Sequence, residues 1–227
     1  MSLYRQLNKC LIPCHEDAEF LPLSEISARV TEDNIKSEVP VRKRCFSNRS
    51  LPRTILKQAR RIFSILVLIQ EAQAIVDLVC RDNISDEDLP LIRQSMSGDD
   101  ENVLISAKTG KPFPSFSLWP REARVRDFLN FQWLVQAPVL NTLGQHISLD
   151  TKCPLPLIDC VMKCKSGPNS VLHKCKIHGA HQSIFKVTIT IPYKSTLTLT
   201  SSRMTRSHML LSRRSTMTRR LRRKKQT

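Results

Sequence analysis

Between Thr54 and Cys80, apolar residues recur at Ile55, Ala59, Ile62, Phe63, Leu66, Ile69, Ala72, Ile75, Val76 and Val79. Spacings of three and four put them on one face of a helix. At Ile65-Leu66-Val67-Leu68 the helix is apolar on every side. A helix apolar all round has to be covered by other elements, so this stretch predicts a central, buried helix with an ordered domain built about it. The run Ile62 to Ile69 contains Ser64 and is far shorter than the roughly 20 residues a bilayer requires. A core helix is therefore favoured over a membrane-inserted one, and no membrane partner is expected.

The covering elements lie on both sides. Leu23 to Val39 carries Ile26, Val30 and Ile35 at roughly helical spacing between Pro22 and Pro40, with Ser24 as a candidate N-cap, and predicts one helix. After the central stretch, Asp82-Asn83-Ile84-Ser85-Asp86-Glu87-Asp88 makes an acidic turn. There Ser85 stands three residues before Asp88, a variant of the capping box. Ser95 to Pro114, with Gly98, Gly110, Pro112 and Pro114, reads as a loop. A dense aromatic segment comes next: Phe113, Phe116, Trp119, Phe128, Phe131 and Trp133. Within Arg121 to Val135, Val125, Phe128, Leu129 and Trp133 have helical spacing, which points to core. Val187 to Ile191 alternates with Thr and predicts a short strand.

Charge separates this body from the C-terminal third of the chain. The protein has 36 Lys and Arg against 20 Asp and Glu, a net charge of +16, and its last acid is Asp159. Residues 1–159 hold all 20 acids and 20 of the 36 bases, so they are neutral, and the excess falls entirely on residues 160–227. Residues 187–227 contain 15 Ser or Thr and no acid. From Arg203 onward the chain lacks the apolar periodicity needed to bury a core and is expected to be disordered. The run Arg219, Arg220, Arg222, Arg223, Lys224 and Lys225 fits nuclear localisation or a phosphate-binding arm. Against it, no aromatic residue follows Tyr193 to stack on bases.

Catalytic and metal signatures are weak. Met1 to His15 has no apolar core for a signal peptide. The eight cysteines are therefore expected as reduced thiols in a cytoplasmic or nuclear protein. Cys153, Cys160, Cys164 and Cys175, with His173, His178 and His181 among them, offer the right ligand types for zinc, but the spacings do not form paired knuckles. Ordinary thiols and surface histidines are the expectation. Cys10, Cys14 and His15 form one ligand pair without a second. There is no Gly-x-Ser-x-Gly elbow and no Walker A loop, and with only five glycines phosphate-cradling loops are scarce.

The order of segments resembles a known arrangement. Phe20-Leu21-Pro22-Leu23 opens a helix, Ala59 to Ile69 forms the buried one, and Ala74-Ile75-Val76-Asp77 leads to Ile84 to Leu91. Phe131-Gln132-Trp133-Leu134-Val135-Gln136-Ala137-Pro138-Val139 comes after them. Together, over roughly residues 20–182, they resemble the helical N-terminal extension of a group of fungal serine/threonine protein kinases. The resemblance implies that the chain then enters the first strands of a kinase N-lobe, with Leu172 to His181 closing the glycine-rich loop. It marks Gly167 and Lys186 as the positions where a nucleotide-binding loop and strand lysine would stand. Both depart from the pattern. Gly167 is followed by Pro168, which has no N–H to offer a phosphate, and Lys186 directly after Phe185 is out of register. No His-Arg-Asp or Asp-Phe-Gly occurs.

The sequence thus predicts a mainly α protein: a small helical domain, a short β-containing remnant and a disordered basic C-terminal tail. The expected boundaries are a disordered N-terminus at 1–17, a helical domain at 18–150, a truncated kinase N-lobe remnant at 151–191 and the tail at 192–227. Functionally it predicts a non-enzymatic regulatory or protein-interaction module with no cofactor, whose partner is a protein such as a kinase catalytic domain. The alternatives are a fragment of an ATP-dependent kinase and a nucleic-acid or nuclear-targeting protein acting through the tail.

Overall fold

The computed structural model describes residues 1–14, 18–40, 51–93, 103–140, 148–165, 171–183, 188–193, 199–200 and 210–211. Among them are the helices α1 (Leu3–Asn8), α2 (Leu23–Arg29), α3 (Glu32–Glu38), α4 (Leu51–Gln58), α5 (Arg60–Leu68), α6 (Ile75–Cys80) and α7 (Glu122–Phe131). The strands are short and antiparallel. β1 (Ile12–Pro13) pairs with β2 (Glu19–Phe20), and β3 (Leu91–Arg93), β4 (Leu104–Ser106) and β5 (Pro112–Phe113) form a sheet in that order. β6 (Leu157–Lys165), β7 (Val171–Ile177) and β8 (Thr188–Tyr193) form a second meander, and β9 (Leu199–Thr200) pairs with β10 (Leu210–Leu211). The fold is mainly helical with small sheets, as the sequence predicts.

α5 is the axis of the body. Every residue from Ile62 to Leu68 is buried, and α1, α2, α4, α6 and α7 all pack on it. Ser64, the one polar residue of that run, donates its hydroxyl to the Arg60 carbonyl at 2.9 Å, so it meets its hydrogen-bonding need inside the helix. The core about α5 extends from Leu3 to Val135. Phe116, Trp119 and Phe128 pack together in it, with the Phe116 centroid 4.9 Å from each of the other two, as expected of core, whereas Trp133, expected on the same face, is half-buried and lies outside that core.

Two predicted helices are broken. The single face from Thr54 to Cys80 is divided among α4, α5, a 3-10 turn at Ala72–Ala74 and α6. The first break is at Ala59 (φ −138°, ψ 30°). The second comes after α5, where Gln70 takes φ +61°. There the Glu71 N–H donates to Leu66 C=O at 2.8 Å and the Gln70 N–H to Val67 C=O at 3.1 Å, the paired closure of a Schellman motif. The apolar period survives because each piece turns its apolar residues to the same core: Ile55, Ile62, Leu66, Ile75 and Val79 are all buried. Likewise the helix predicted over Leu23–Val39 is two helices, divided at Val30. Ser24 lies inside α2, and the side-chain cap belongs to Thr31, which accepts the Asn34 N–H.

Two further expectations are corrected. Residues 1–17 are not wholly disordered: α1 spaces Leu3 and Leu7 one turn apart and buries both in the core. Among the described residues of the predicted loop at Ser95–Pro114, β4 and β5 form a hairpin that pairs Leu104 with Phe113. Gly110 closes its turn at φ +71°, so the glycine marks a reversal of strand direction rather than an irregular loop.

The acidic turn is a capping centre. Ser85 and Asp88 form the expected capping box, the Ser85 N–H reaching Asp88 Oδ2 at 2.8 Å. Asp86 accepts the Arg61 and Ile62 N–H groups, each at 3.0 Å, and so closes the N-terminus of α5. Burial pushes the Asp86 carboxyl above its usual range, opposed by those two backbone hydrogen bonds. Asp82 Oδ2 accepts the Ser115 N–H at 3.0 Å.

Candidate functional site

The described residues bring one group of chemistry-bearing side chains together, where the helical body meets the β6–β8 sheet. Leu157, Cys175 and Ile177 of that sheet are buried, yet they stand outside the core about α5. Hydrogen bonds join the two units. The Leu140 N–H donates to the His181 carbonyl at 2.8 Å and the Ser183 N–H returns to the Leu140 carbonyl at 3.3 Å, a short parallel bridge between Leu140 and Gln182. Nearby, Cys153 Sγ donates to the Gln136 carbonyl at 3.1 Å.

His181 is at the centre of this junction and only 1 % exposed. Its Nε2 lies 3.3 Å from the Leu23 N–H at the start of α2, and its Nδ1 lies 3.2 Å from the Pro138 carbonyl. The Leu23 N–H can only donate and the Pro138 carbonyl can only accept. The ring is therefore the neutral tautomer with its proton on Nδ1. Burial lowers its pKa below the ordinary value, and the nearby His178 lowers it further, while hydrogen bonds to the Pro138 and Ala137 backbone oppose them. Phe20, fully buried, stands edge-on to both rings, 5.2 Å from His181 and 5.6 Å from His178.

This corrects the expectation of surface histidines: His181 is a buried bridge between segments distant in sequence. No periodic signal could have marked it, because its partners are main-chain groups of Leu23 and Pro138. Its place at the end of the segment Leu172 to His181 was the single pointer.

The cysteines also depart from expectation at one pair. Cys160 and Cys175 are joined in a disulfide across β6 and β7 rather than standing as two thiols. The reason is register: a bulge sets two residues of β6, Asp159 and Cys160, against Cys175 alone, between the pairs Ile158–Lys176 and Val161–Lys174. Asp159 takes φ +52° at the bulge and holds Lys176 at 2.8 Å. Among the described residues no three His, Cys, Asp or Glu side chains are grouped as a metal site would require. Cys10, the first of the isolated ligand pair, donates its thiol to Glu25 at 3.2 Å, and burial raises its pKa, helped by that carboxylate.

Gly167 and Lys186, the positions marked for a nucleotide, lie outside the described residues, as do Arg219, Arg220, Arg222, Arg223, Lys224 and Lys225 of the basic run. Among the described residues no helix is long and apolar enough to cross a membrane. Comparison of the chain with family models, with curated proteins and with solved structures found no match.

Proposed function

We propose that the chain is a non-catalytic regulatory or protein-interaction module related to fungal serine/threonine kinases. Its helical body presents a surface to a protein partner, such as a kinase catalytic domain supplied in trans. One observation carries the reading: at the positions the resemblance marks for a nucleotide, Gly167 is followed by Pro168, and Lys186 stands directly after Phe185, out of register. A glycine-rich loop holds phosphates through backbone N–H groups, and Pro168 has none to give. Support also comes from the order of elements, a helical body and then the β6–β7–β8 meander, which is the order the resemblance implies. Calorimetry of the full chain with ATP, with and without magnesium, tests the reading. No heat of binding is expected. Saturable binding at micromolar affinity would overturn it in favour of a degenerate nucleotide-binding pseudokinase.

A second reading is favoured by the charge of residues 160–227, which carry 16 bases and no acid. Such a segment binds polyanions with an affinity that falls steeply with salt. Retention of the full chain on DNA that is lost both in high salt and on deletion of residues 203–227 would establish it. Retention independent of that segment would dismiss it.

A further inference from the structure

We propose that His181 is a pH-sensitive latch, fastening the β6–β8 sheet to the helical body when its imidazole is neutral and releasing it when protonated. The latch rests on where the ring sits rather than on its titration alone. Its Nε2 accepts the Leu23 N–H of α2 and its Nδ1 meets the Pro138 carbonyl, so one side chain ties two stretches of the body, 158 and 43 residues away. Its own carbonyl receives the Leu140 N–H. Phe20 packs against His178 and His181 at the same joint.

A proton added at Nε2 turns the acceptor into a donor pointed at another donor, the Leu23 N–H, and that hydrogen bond is lost. The new positive charge is buried, and among the described residues no opposite charge meets it. From β2 the ring is met by Phe20, from the stretch leading to Leu140 by the Pro138 and Ala137 backbone, and from α2 by the Leu23 N–H. The titratable group that faces it is His178, whose ring centroid is 5.9 Å away and which disfavours a charge on His181.

The direction comes from linkage. An opened junction exposes His181 to water, where it takes protons near the ordinary value of 6.5, while the closed junction holds it below that value. The open form therefore binds more protons, and closure weakens as pH falls through 6.5. At pH 5.5 the opening equilibrium rises by up to about tenfold over its value at neutral pH.

Hydrogen exchange on the full chain, expressed as protection factors so that intrinsic exchange chemistry is removed, reads the latch. Protection at Leu23, Leu140 and Ser183 is expected to fall by up to about tenfold between pH 7.5 and 5.5, while protection within α5 stays level. Long-range nitrogen–proton NMR of the unmodified chain should find His181 neutral at pH 7 with its proton on Nδ1, titrating below 6.5. The variant His181→Gln should lose the pH dependence at those three amides, and should it not fold, the NMR titration stands by itself. A His181 that titrates at or above 6.5, or junction protection that is flat with pH, overturns the proposal. Protection that falls equally throughout α5 also overturns it, since that is global unfolding rather than release of a joint.

Discussion

Removing the Asp86 side chain tests whether the acidic turn organises the central helix. The carboxylate is 17 % exposed and accepts two N–H groups of the first turn of α5 at 3.0 Å each. In Asp86→Ala both donors lose their partner, and that of Ile62 belongs to a residue with no solvent exposure. Loss of a helix cap costs about 0.5–2 kcal/mol, and an unpaired buried donor costs about 1–3 kcal/mol. The charge contributes less than its bonds suggest, because burial works against it, as the upward pKa shift records. The Arg61 guanidinium at 3.7 Å is partly exposed and contributes little. We expect Asp86→Ala to destabilise the chain by about 2 kcal/mol. The two N–H groups are held by different oxygens, so Asp86→Asn, whose single amide oxygen can accept only one of them, should cost about half as much. Urea unfolding monitored by tryptophan fluorescence measures both. The pH dependence adds a sign. A carboxyl whose folded pKa is raised above 3.8 takes its proton more readily in the folded chain than in the unfolded one. The parent should therefore gain stability relative to Asp86→Asn as pH falls through the folded value toward 3.8. A change under about 0.5 kcal/mol for Asp86→Ala, or a parent that loses ground to Asp86→Asn on acidification, refutes the reasoning.

Three other outcomes are expected. Gln132, buried, reads the main chain of Leu91 in both directions, accepting its N–H at 2.7 Å and donating to its carbonyl at 2.9 Å. Gln132→Leu should cost about 3 kcal/mol in the same unfolding assay, and a cost below about 1 kcal/mol would mean that water replaces the amide. Gln70 holds φ +61° after α5, a region that penalises any side chain, so Gln70→Gly should raise stability by about 1 kcal/mol; destabilisation would show that its side chain matters more than its backbone. The disulfide spans 15 residues, so reducing it should lower stability by about 3 kcal/mol in the loop-entropy account, with mass spectrometry after alkylation confirming that Cys160 and Cys175 were the thiols released. Their full alkylation before any reductant is added would show that the bond does not form in solution.

Much of the helical body was legible in the residues. The period of three and four around Leu66 identified the buried axis, the aromatic positions Phe116 and Phe128 identified core, and Ser85 with Asp88 identified a cap. Helix ends were less legible. Gln70 terminates α5 where sequence rules look for glycine, and its left-handed backbone is sustained by the hydrogen bonds that Gln70 and Glu71 return to Val67 and Leu66. The hairpin at β4–β5 was hidden because its strands are only three and two residues long, too short for alternation to register. The departures at Gly167 and Lys186 from a nucleotide-binding pattern are a matter of residue type and spacing, legible without the fold.

What the amino-acid sequence determined by itself was local and compositional. Apolar spacing decided which faces are buried, and the distribution of charge divided a neutral body from a basic remainder. Tertiary structure decided which distant groups meet. Asp86 caps a helix 25 residues earlier, Gln132 bonds a strand 41 residues away, and His181 reaches the start of α2 across 158 residues. Each of these contacts joins a side chain to a main-chain N–H or C=O. Every residue carries such groups except where proline lacks the N–H, so the partner leaves no mark in the sequence and only the folded path of the chain selects it.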